Sequence, residues 1–156
     1  MNLHLRPAAP EDAPCIHAMQ RAAFAPLLAR YGDDGNPALE TLDAVAARLS
    51  GPGRTTYVIE AQGVPIGAIC VILPAEEDGG RKRLHRLFLL PACQGRGWAQ
   101  AAIREVERLH GAHGWELDTI AQEEKLCHLY EKMGYQRTAR THPIGDTMTL
   151  IFYEKE

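Results

Sequence analysis

The first third of the chain carries apolar residues at the three- and four-residue spacing of amphipathic helices. One helix is predicted to begin near Glu11, with apolar positions at Ile16, Met19, Ala23 and Leu27. Pro26 should bend or end this helix near Ala25, because proline lacks the N–H that the helical ladder needs. A second helix is predicted before the SGPG segment at residues 50–53, with apolar positions at Leu39, Leu42, Val45 and Leu49.

Short apolar runs replace the helical spacing in the middle of the chain. Strands are predicted over residues 55–61, 65–73 and 83–90, after a first short strand at residues 4–6. A QGVP turn and the loop EEDGGRKR join the three central strands, and such direct connections predict an antiparallel meander.

Helical spacing returns after Gly97 and is followed by a strand over residues 115–120. A short helix should then end at Gly134, and the tail from Tyr135 alternates as one or two further strands. This order predicts an α/β (α+β mixed) fold with a mixed, mostly antiparallel central sheet and helices on both faces. The length of 156 residues predicts a single domain over residues 1–156.

Composition and charge exclude several classes of function. Apolar residues make up 46% of the chain and charged residues 24%, as in ordinary globular proteins. The net charge of −3 disfavours a nucleic-acid partner, and the basic cluster at residues 81–86 is interpreted as a solvated strand end. The apolar runs are too short to span a membrane, and the N-terminus lacks a signal core. The widely spaced cysteines predict reduced thiols in the cytoplasm and no metal site.

The stretch CQGRGWAQAAIRE at residues 93–105 combines a glycine-rich turn with a run of helix formers. The first N–H groups of a helix have no internal partner and attract phosphate. The stretch lacks the Lys-Ser/Thr ending of a P-loop, and Gln100 stands where a dinucleotide motif needs a third glycine or alanine. The sequence therefore predicts a loop that binds a phosphate which does not react.

Two segments, LFLLPACQGRGWAQAAI at residues 87–103 and LYEKMGY at residues 129–135, resemble the GCN5-related N-acetyltransferases, which use acetyl coenzyme A. The phosphate loop of that family has Gln or Arg, then Gly three residues later, then Gly or Ala two residues after that. Gln94, Gly97 and Ala99 match these positions. The predicted order of elements also matches that fold along nearly the whole chain.

The resemblance implies how the cosubstrate, acetyl-CoA, is bound without a metal. In the family, N–H groups of the loop hold the pyrophosphate, which assigns this role to Gln94, Gly95, Arg96, Gly97, Trp98, Ala99 and Gln100. The strand before the loop separates from its neighbour and pairs with the pantetheine arm and the thioester, which assigns this role to Leu87, Phe88 and Leu89. An N–H near Leu89 is then the oxyanion donor. The alternative is that this strand is simply buried core.

The resemblance also implies two catalytic residues. Tyr130 would protonate the departing thiolate, and the alternative is a core tyrosine that shares a helical face with Leu126. His85 occupies the region where relatives carry a base, and would take the proton of the amine directly or through water; the alternative is a packed strand histidine. Many relatives have Asn seven residues before the tyrosine, where this chain has Glu123.

The sequence therefore predicts a cytoplasmic N-acetyltransferase that passes the acetyl group directly to a primary amine of a small molecule or peptide. Asp33 and Asp34 lie in a loop that borders the acceptor pocket in the family, where they would suit a cationic amine or simply solvate a turn. Two alternatives remain open: transfer of a longer acyl chain, and a sensor that binds coenzyme A without turnover. Dimers are common in the family, so a homodimer is a candidate assembly.

Overall fold

The computed structural model describes residues 2–74 and 80–156 of the chain. Its strands are β1 (Leu3–Pro7), β2 (Arg54–Ala61), β3 (Val64–Ile72), β4 (Lys82–Leu89), β5 (Trp115–Ile120), β6 (Gln136–Ile144) and β7 (Met148–Lys155). Its α-helices are α1 (Ala13–Tyr31), α2 (Leu42–Arg48), α3 (Trp98–His110) and α4 (Glu124–Lys132). Part of the predicted EEDGGRKR loop lies outside the described residues.

All seven strands belong to one sheet, in the order β1-β2-β3-β4-β5-β7-β6. The pair β4–β5 is parallel and the other neighbouring pairs are antiparallel. The prediction of a mixed, mostly antiparallel sheet is confirmed, and the C-terminal tail forms two strands. β7 returns to lie between β5 and β6, so the last strand of the chain is an interior strand of the sheet.

Each face of the sheet is covered by one pair of helices. On one face, α1 and α2 bury a small core made of Ile16, Met19, Val45, Val58, Ala68 and Phe88. On the other face, α3 and α4 cover a larger core that includes Ile69, Leu89, Ile103, Val106, Trp115 and Tyr130. β4 therefore contributes side chains to both cores, with Phe88 facing one and Leu89 the other.

The prediction that α1 ends near Ala25 was wrong, because the helix continues through Pro26 to Tyr31. Pro26 and the residue one turn before it, Ala22, are both exposed, so the Ala22 carbonyl that loses its helical partner can be hydrated instead. The helix ends at Gly32, which has a φ of 61° and donates its N–H to the Leu28 carbonyl over 2.8 Å.

β4 and β5 separate almost as soon as they meet. Only two residue pairs join them, Lys82 with Trp115 and Arg83 with Glu116. Beyond these pairs β5 continues beside β7 alone, and β4 continues beside β3 alone. The second half of β4 therefore has one main-chain edge that no described strand occupies.

A bulge reshapes β4 just after this separation. Cys70 of β3 pairs with His85, whereas Ala68 pairs with Phe88, so two residues of β4 lie opposite one residue of β3. Arg86, within the bulge, has a φ of 52°, a conformation that a non-glycine residue rarely adopts. Beyond the bulge the two backbones come so close that a Cβ atom on Gly67 would lie 2.1 Å from the Phe88 carbonyl oxygen.

We predict that Gly67→Ala destabilises the fold, because the added methyl group must push β4 away at Phe88. Overpacking of this kind costs about 1–3 kcal/mol, measurable as a fall in the free energy of unfolding in urea. Gly35→Ala is the matched control, since nothing lies within 4 Å of the Cβ that this change adds. Equal stability of the two variants would contradict the close approach of the strands.

Candidate active site

The free edge of β4 presents main-chain N–H groups to the gap beside β5. Leu90 donates its N–H to the Ile66 carbonyl of β3 over 2.8 Å. Successive N–H groups of a strand alternate in direction, so those of Leu89 and Leu87 point away from β3, into the gap. Phe88 and Leu89 both lie opposite residues of β3, but only the Phe88 N–H faces that strand. The N–H groups of Leu87 and Leu89 face the gap.

The loop after β4 is held to the end of that strand. The Gln94 side chain donates its Nε2–H to the Leu89 carbonyl over 3.0 Å. Gly95 and Gly97 have φ angles of 75° and 84°, which permit the two sharp reversals that lead into α3. The residue pattern of the loop thus has a physical basis: the glutamine anchors it and the glycines turn it.

Six consecutive main-chain N–H groups at the start of α3, those of residues 95–100, have no backbone hydrogen-bond partner among the described residues; we call them the amide row. The first hydrogen bond of the helix runs from the Ala101 N–H to the Gly97 carbonyl, at 3.1 Å. Within the described residues, no backbone acceptor faces the N–H groups of Gly95, Arg96, Gly97, Trp98, Ala99 and Gln100. The positive end of the α3 dipole lies at the same place. Trp98 and Ala99 pack against the larger core, while the Arg96 side chain is exposed.

Tyr130 lies in the larger core and is only 8% exposed. Its ring centroid is 6.1 Å from that of Tyr135 and 6.4 Å from that of Tyr153. Burial raises the pKa of the Tyr130 phenol well above its usual value, and the nearby charge of Asp118 raises it further. Tyr130 is therefore packed in the core, as one sequence-based interpretation expected. Its phenol is also protonated, as the other interpretation requires.

His85 lies on the opposite face of the sheet, beneath α1 and α2. It pairs with Cys70, whose side chain lines a small cavity on that face. Burial lowers the pKa of His85 to about 4, and the charges of Arg86, Arg54, Arg83 and Arg48 act in the same direction. The imidazole is therefore neutral near pH 7 and able to accept a proton.

Glu123 ties α4 to the end of α1. Its carboxylate accepts hydrogen bonds from the Tyr31 hydroxyl, at 2.6 Å, and from the Arg30 guanidinium. Burial alone would raise the pKa of Glu123, but these two hydrogen bonds outweigh it and hold the pKa below its usual value. The residue that replaces the common Asn of the family thus has a clear structural role: it fixes the two helix ends to each other.

Sequence reasoning missed a polar network below α2. The Glu40 carboxylate accepts hydrogen bonds from Gln20 Nε2 at 2.9 Å, from Arg86 Nη1 at 3.0 Å and from Arg48. These residues come from α1, α2, β4 and the segment before α2, and no local spacing relates them. Gln20 is 1% exposed, and its burial on a helix face is the only signal that the sequence could have offered.

The two loop aspartates have different surroundings. Asp33 Oδ1 accepts a hydrogen bond from the Asn36 side chain at 3.2 Å and so helps to shape the loop, whereas Asp34 is exposed. Among the residues of ranges 2–74 and 80–156, no group of three or more His, Cys, Asp or Glu side chains is placed to hold a metal. No helix in these ranges is both long and apolar enough to cross a bilayer.

Comparison with known proteins shows which family the chain belongs to. A sequence model of the acetyltransferase (GNAT) family matches residues 16–135. The chain belongs to this family. No curated protein matched the sequence.

Solved structures reproduce the GNAT fold along nearly the whole chain. An acetyltransferase from Thermus thermophilus has a TM-score of 0.75 and 22% identity, covering 98% of this chain and 96% of that one. The spermidine N-acetyltransferase of Vibrio cholerae, in complex with CoA and spermine, has a TM-score of 0.78 and 18% identity, covering 97% and 94%. The ribosomal-protein-S18-alanine N-acetyltransferase of Escherichia coli has a TM-score of 0.74 and 14% identity, covering 97% and 91%.

The surroundings of His85 predict a loss of stability in acid. Its pKa is about 4 in the folded chain, against 6.5 for an unperturbed imidazole. The unfolded chain therefore binds the extra proton first, so stability should fall as the pH drops from about 6.5 to about 4. The loss attributable to this residue is up to roughly 3 kcal/mol.

Urea denaturation at several pH values measures this effect. His85→Gln should flatten the dependence between these pH values, whereas His142→Gln, at an exposed histidine of β6, should leave it unchanged. An identical pH dependence in the parent and His85→Gln would show that His85 is not held neutral by its surroundings.

Proposed function

We propose that this GNAT acetyltransferase transfers the acetyl group of acetyl-CoA directly to a primary amine. The observation that supports this most strongly is the free edge of β4, where the N–H groups of Leu87 and Leu89 border the gap and lead to the amide row of the following loop. β4 thus carries donors for a thioester, and the loop that follows it carries donors for a phosphate.

The loop fits the pyrophosphate of coenzyme A. Six consecutive amides without a described backbone acceptor, the dipole of α3 and the exposed Arg96 side chain all favour an anion at this point. The pyrophosphate would only bind the cosubstrate to the protein and would not react, so no lysine or metal is needed to activate it. The hydrogen bond from the Gln94 side chain to the Leu89 carbonyl fixes the position of this proposed anion site relative to the end of β4.

The acyl group would lie along β4, where Leu89 can stabilise the developing oxyanion. A main-chain N–H that already points into a gap needs no reorganisation during the reaction, which is the usual source of oxyanion stabilisation. The bulge at Arg86 and the close packing of Gly67 on Phe88 keep this donor in place. Acetyl-CoA would supply the activated thioester, and the chain would position it and donate the hydrogen bond to the oxyanion.

Two residues on opposite faces of the sheet would move the protons. The raised pKa of Tyr130 keeps the phenol protonated at neutral pH, ready to donate to the departing thiolate. The lowered pKa of His85 keeps the imidazole neutral, so its ring nitrogen would accept a hydrogen bond from the amine or from a water that relays the proton. The amine would therefore approach from the face covered by α1 and α2.

Direct attack is favoured over an acyl-enzyme intermediate by the surroundings of the cysteines. Cys127 Sγ contacts the carbonyl oxygens of Ile120 at 3.7 Å and Ala121 at 3.8 Å, which are acceptors that cannot activate a thiol. Cys93 packs against the larger core. The cytoplasmic location stays a prediction, made from the wide spacing of the cysteines in the sequence.

Release of free thiol from acetyl-CoA, followed across a panel of amines, tests the proposal. The comparison proteins act on a polyamine and on a protein, so the panel should include both kinds of acceptor. Stabilisation by CoA without any thiol release would instead indicate a sensor. Faster release from longer acyl-CoA esters would indicate transfer of a longer chain.

Replacement of Gly97 tests the phosphate loop. Gly97→Glu forces a side chain into a left-handed backbone with a φ of 84° and adds a negative charge beside the proposed pyrophosphate. Calorimetry should show loss of acetyl-CoA binding while circular dichroism shows a retained fold. Gly145→Glu is the control, since Gly145 also has a positive φ, of 62°, but lies in the turn between β6 and β7. Unchanged binding by Gly97→Glu would remove the loop from the site.

Removal of one hydroxyl tests the general acid. Tyr130→Phe keeps the ring and its packing, and should lower kcat by about 10² to 10⁴ while acetyl-CoA still binds. Tyr135→Phe is the matched control, because that hydroxyl is buried on a neighbouring ring without a hydrogen-bond partner among the described residues. If single-turnover transfer by Tyr130→Phe equals that of the parent, the proton comes from water or another group.

A further inference from the structure

Four arginines surround His85 on the face of the sheet that α1 and α2 cover. Arg83 and Arg86 flank it on β4, Arg54 begins β2, and Arg48 ends α2. These residues come from three separate elements, and only the fold brings them together. The proposed acceptor side of the enzyme therefore carries a cluster of positively charged side chains.

Carboxylates compensate only part of this charge. Arg83 pairs with Asp118 where β4 and β5 separate, and Glu40 is shared between Arg86 and Arg48. The Arg54 side chain has no ion pair or hydrogen bond within the described residues. Arg83 also pairs with Glu116 at 4.0 Å, so among the described residues four guanidinium groups face three carboxylates. The two acids beside Arg83 leave Glu40 as the one described carboxylate paired with Arg48 and Arg86, and the positive charge is in excess there.

Two of the guanidinium groups also hold buried donors with no partner. Arg48 Nε and Arg54 Nη1 are inaccessible to solvent and make no hydrogen bond to any described residue. A buried donor without a partner costs free energy, and a charged one costs more, so such groups usually face a ligand or water. The two arginines lie on α2 and β2, on the same face of the sheet, and each has a donor that an anion could satisfy.

A small cavity opens beside this cluster. It has a volume of about 20 Å³ and is lined by Arg48, Arg86, Gln20, Thr56, Cys70 and Phe88. This is room for about one water, or for a few atoms of a ligand that displaces it. Phe88 lies between the two residues whose N–H groups border the thioester gap, so the cavity lies behind the reacting segment of β4.

We propose that this arginine cluster, Arg48, Arg54 and Arg86, binds a carboxylate of the acceptor, so that the enzyme acetylates amines that also carry an acid group. The inference rests on the proposed function and names its substrate class. Guanidinium groups recognise carboxylates through charge-assisted hydrogen bonds, whereas the same charges repel a polyamine. The chain would then differ in acceptor from the spermidine N-acetyltransferase that shares its fold.

Matched acceptors that differ only in charge provide the test. Glycine, β-alanine, γ-aminobutyrate and ε-aminohexanoate would each be compared with the corresponding amide, and spermidine would be added as a polycation. For the acid of best length, kcat/KM should exceed that of its amide by about ten- to a hundredfold, because the amide loses the charge-assisted contacts. Equal use of acids and amides, or preference for spermidine, would overturn the inference.

Variants of Arg54 test whether the arginine cluster causes the preference for acids over amides. Arg54→Gln should raise KM for the acid by a similar factor, leave KM for the amide and acetyl-CoA affinity unchanged, and remove the preference; Arg54→Lys should restore part of it. Arg108→Gln, at an exposed arginine of α3, makes the same change in net charge and should have no effect. Thermal unfolding verifies that each variant is folded. Retained acid preference in Arg54→Gln would overturn the assignment.

A binding measurement separates failure of this inference from failure of the proposed function. Calorimetry of each acid with the CoA-saturated protein should show binding that the amide lacks and that Arg54→Gln loses. Binding of the acid without turnover of any amine would refute the transferase function while supporting the carboxylate site. Turnover of amides and acids at equal rates would support the function and refute the site. Binding of chloride or sulfate with no preference for acid over amide would also refute it.

Discussion

The separation of β4 from β5 after two residue pairs is the constraint on which the rest of this structure depends. A parallel pair that continued along both strands would satisfy the N–H groups of Leu87 and Leu89 internally and would close the passage between the two faces of the sheet. Because it does not continue, main-chain donors remain free inside an otherwise hydrogen-bonded sheet. The family uses such a gap for an acyl arm, and the following loop lies at its end.

Several features keep this open edge in a defined shape. The bulge at Arg86 shifts the register of β4 against β3, and Gly67 allows the two backbones to approach at Phe88. The side chain of Gln94 then joins the loop to the Leu89 carbonyl. The hydrogen bond from Gln94 therefore fixes the position of the loop N–H groups relative to the Leu89 N–H.

The sheet also separates two chemical environments. The side covered by α3 and α4 is apolar and keeps the Tyr130 phenol protonated, whereas the side covered by α1 and α2 holds four arginines around a neutral histidine. Burial is the leading cause of both pKa shifts, but it acts in opposite directions because a phenol and an imidazole are charged in opposite protonation states. The two residues proposed to move protons therefore lie on different faces.

The features that the sequence predicted correctly are those that depend on residues close together in the chain. Apolar periodicity predicted most bounds of the strands and helices to within a few residues. The glycines of residues 93–105 predicted the turn that leads into α3, because a turn and a helix start depend on neighbouring residues. The prediction failed at Pro26, since whether a proline ends a helix depends on whether the freed carbonyl is reached by water, which burial determines.

The sequence by itself determined the order of elements, the family and the residues of the loop. Only the tertiary structure decided the surroundings of Tyr130 and His85 and the charge on the face of the sheet that α1 and α2 cover. Arg48, Arg54 and Arg86 lie on α2, β2 and β4, and nothing in their spacing indicates that they meet. Electrostatic effects depend on distance in space and on burial, which arise from strand pairing and helix packing. For that reason the charge around His85 is a property of the fold, whereas the turn that leads into α3 can be identified from a few consecutive residues.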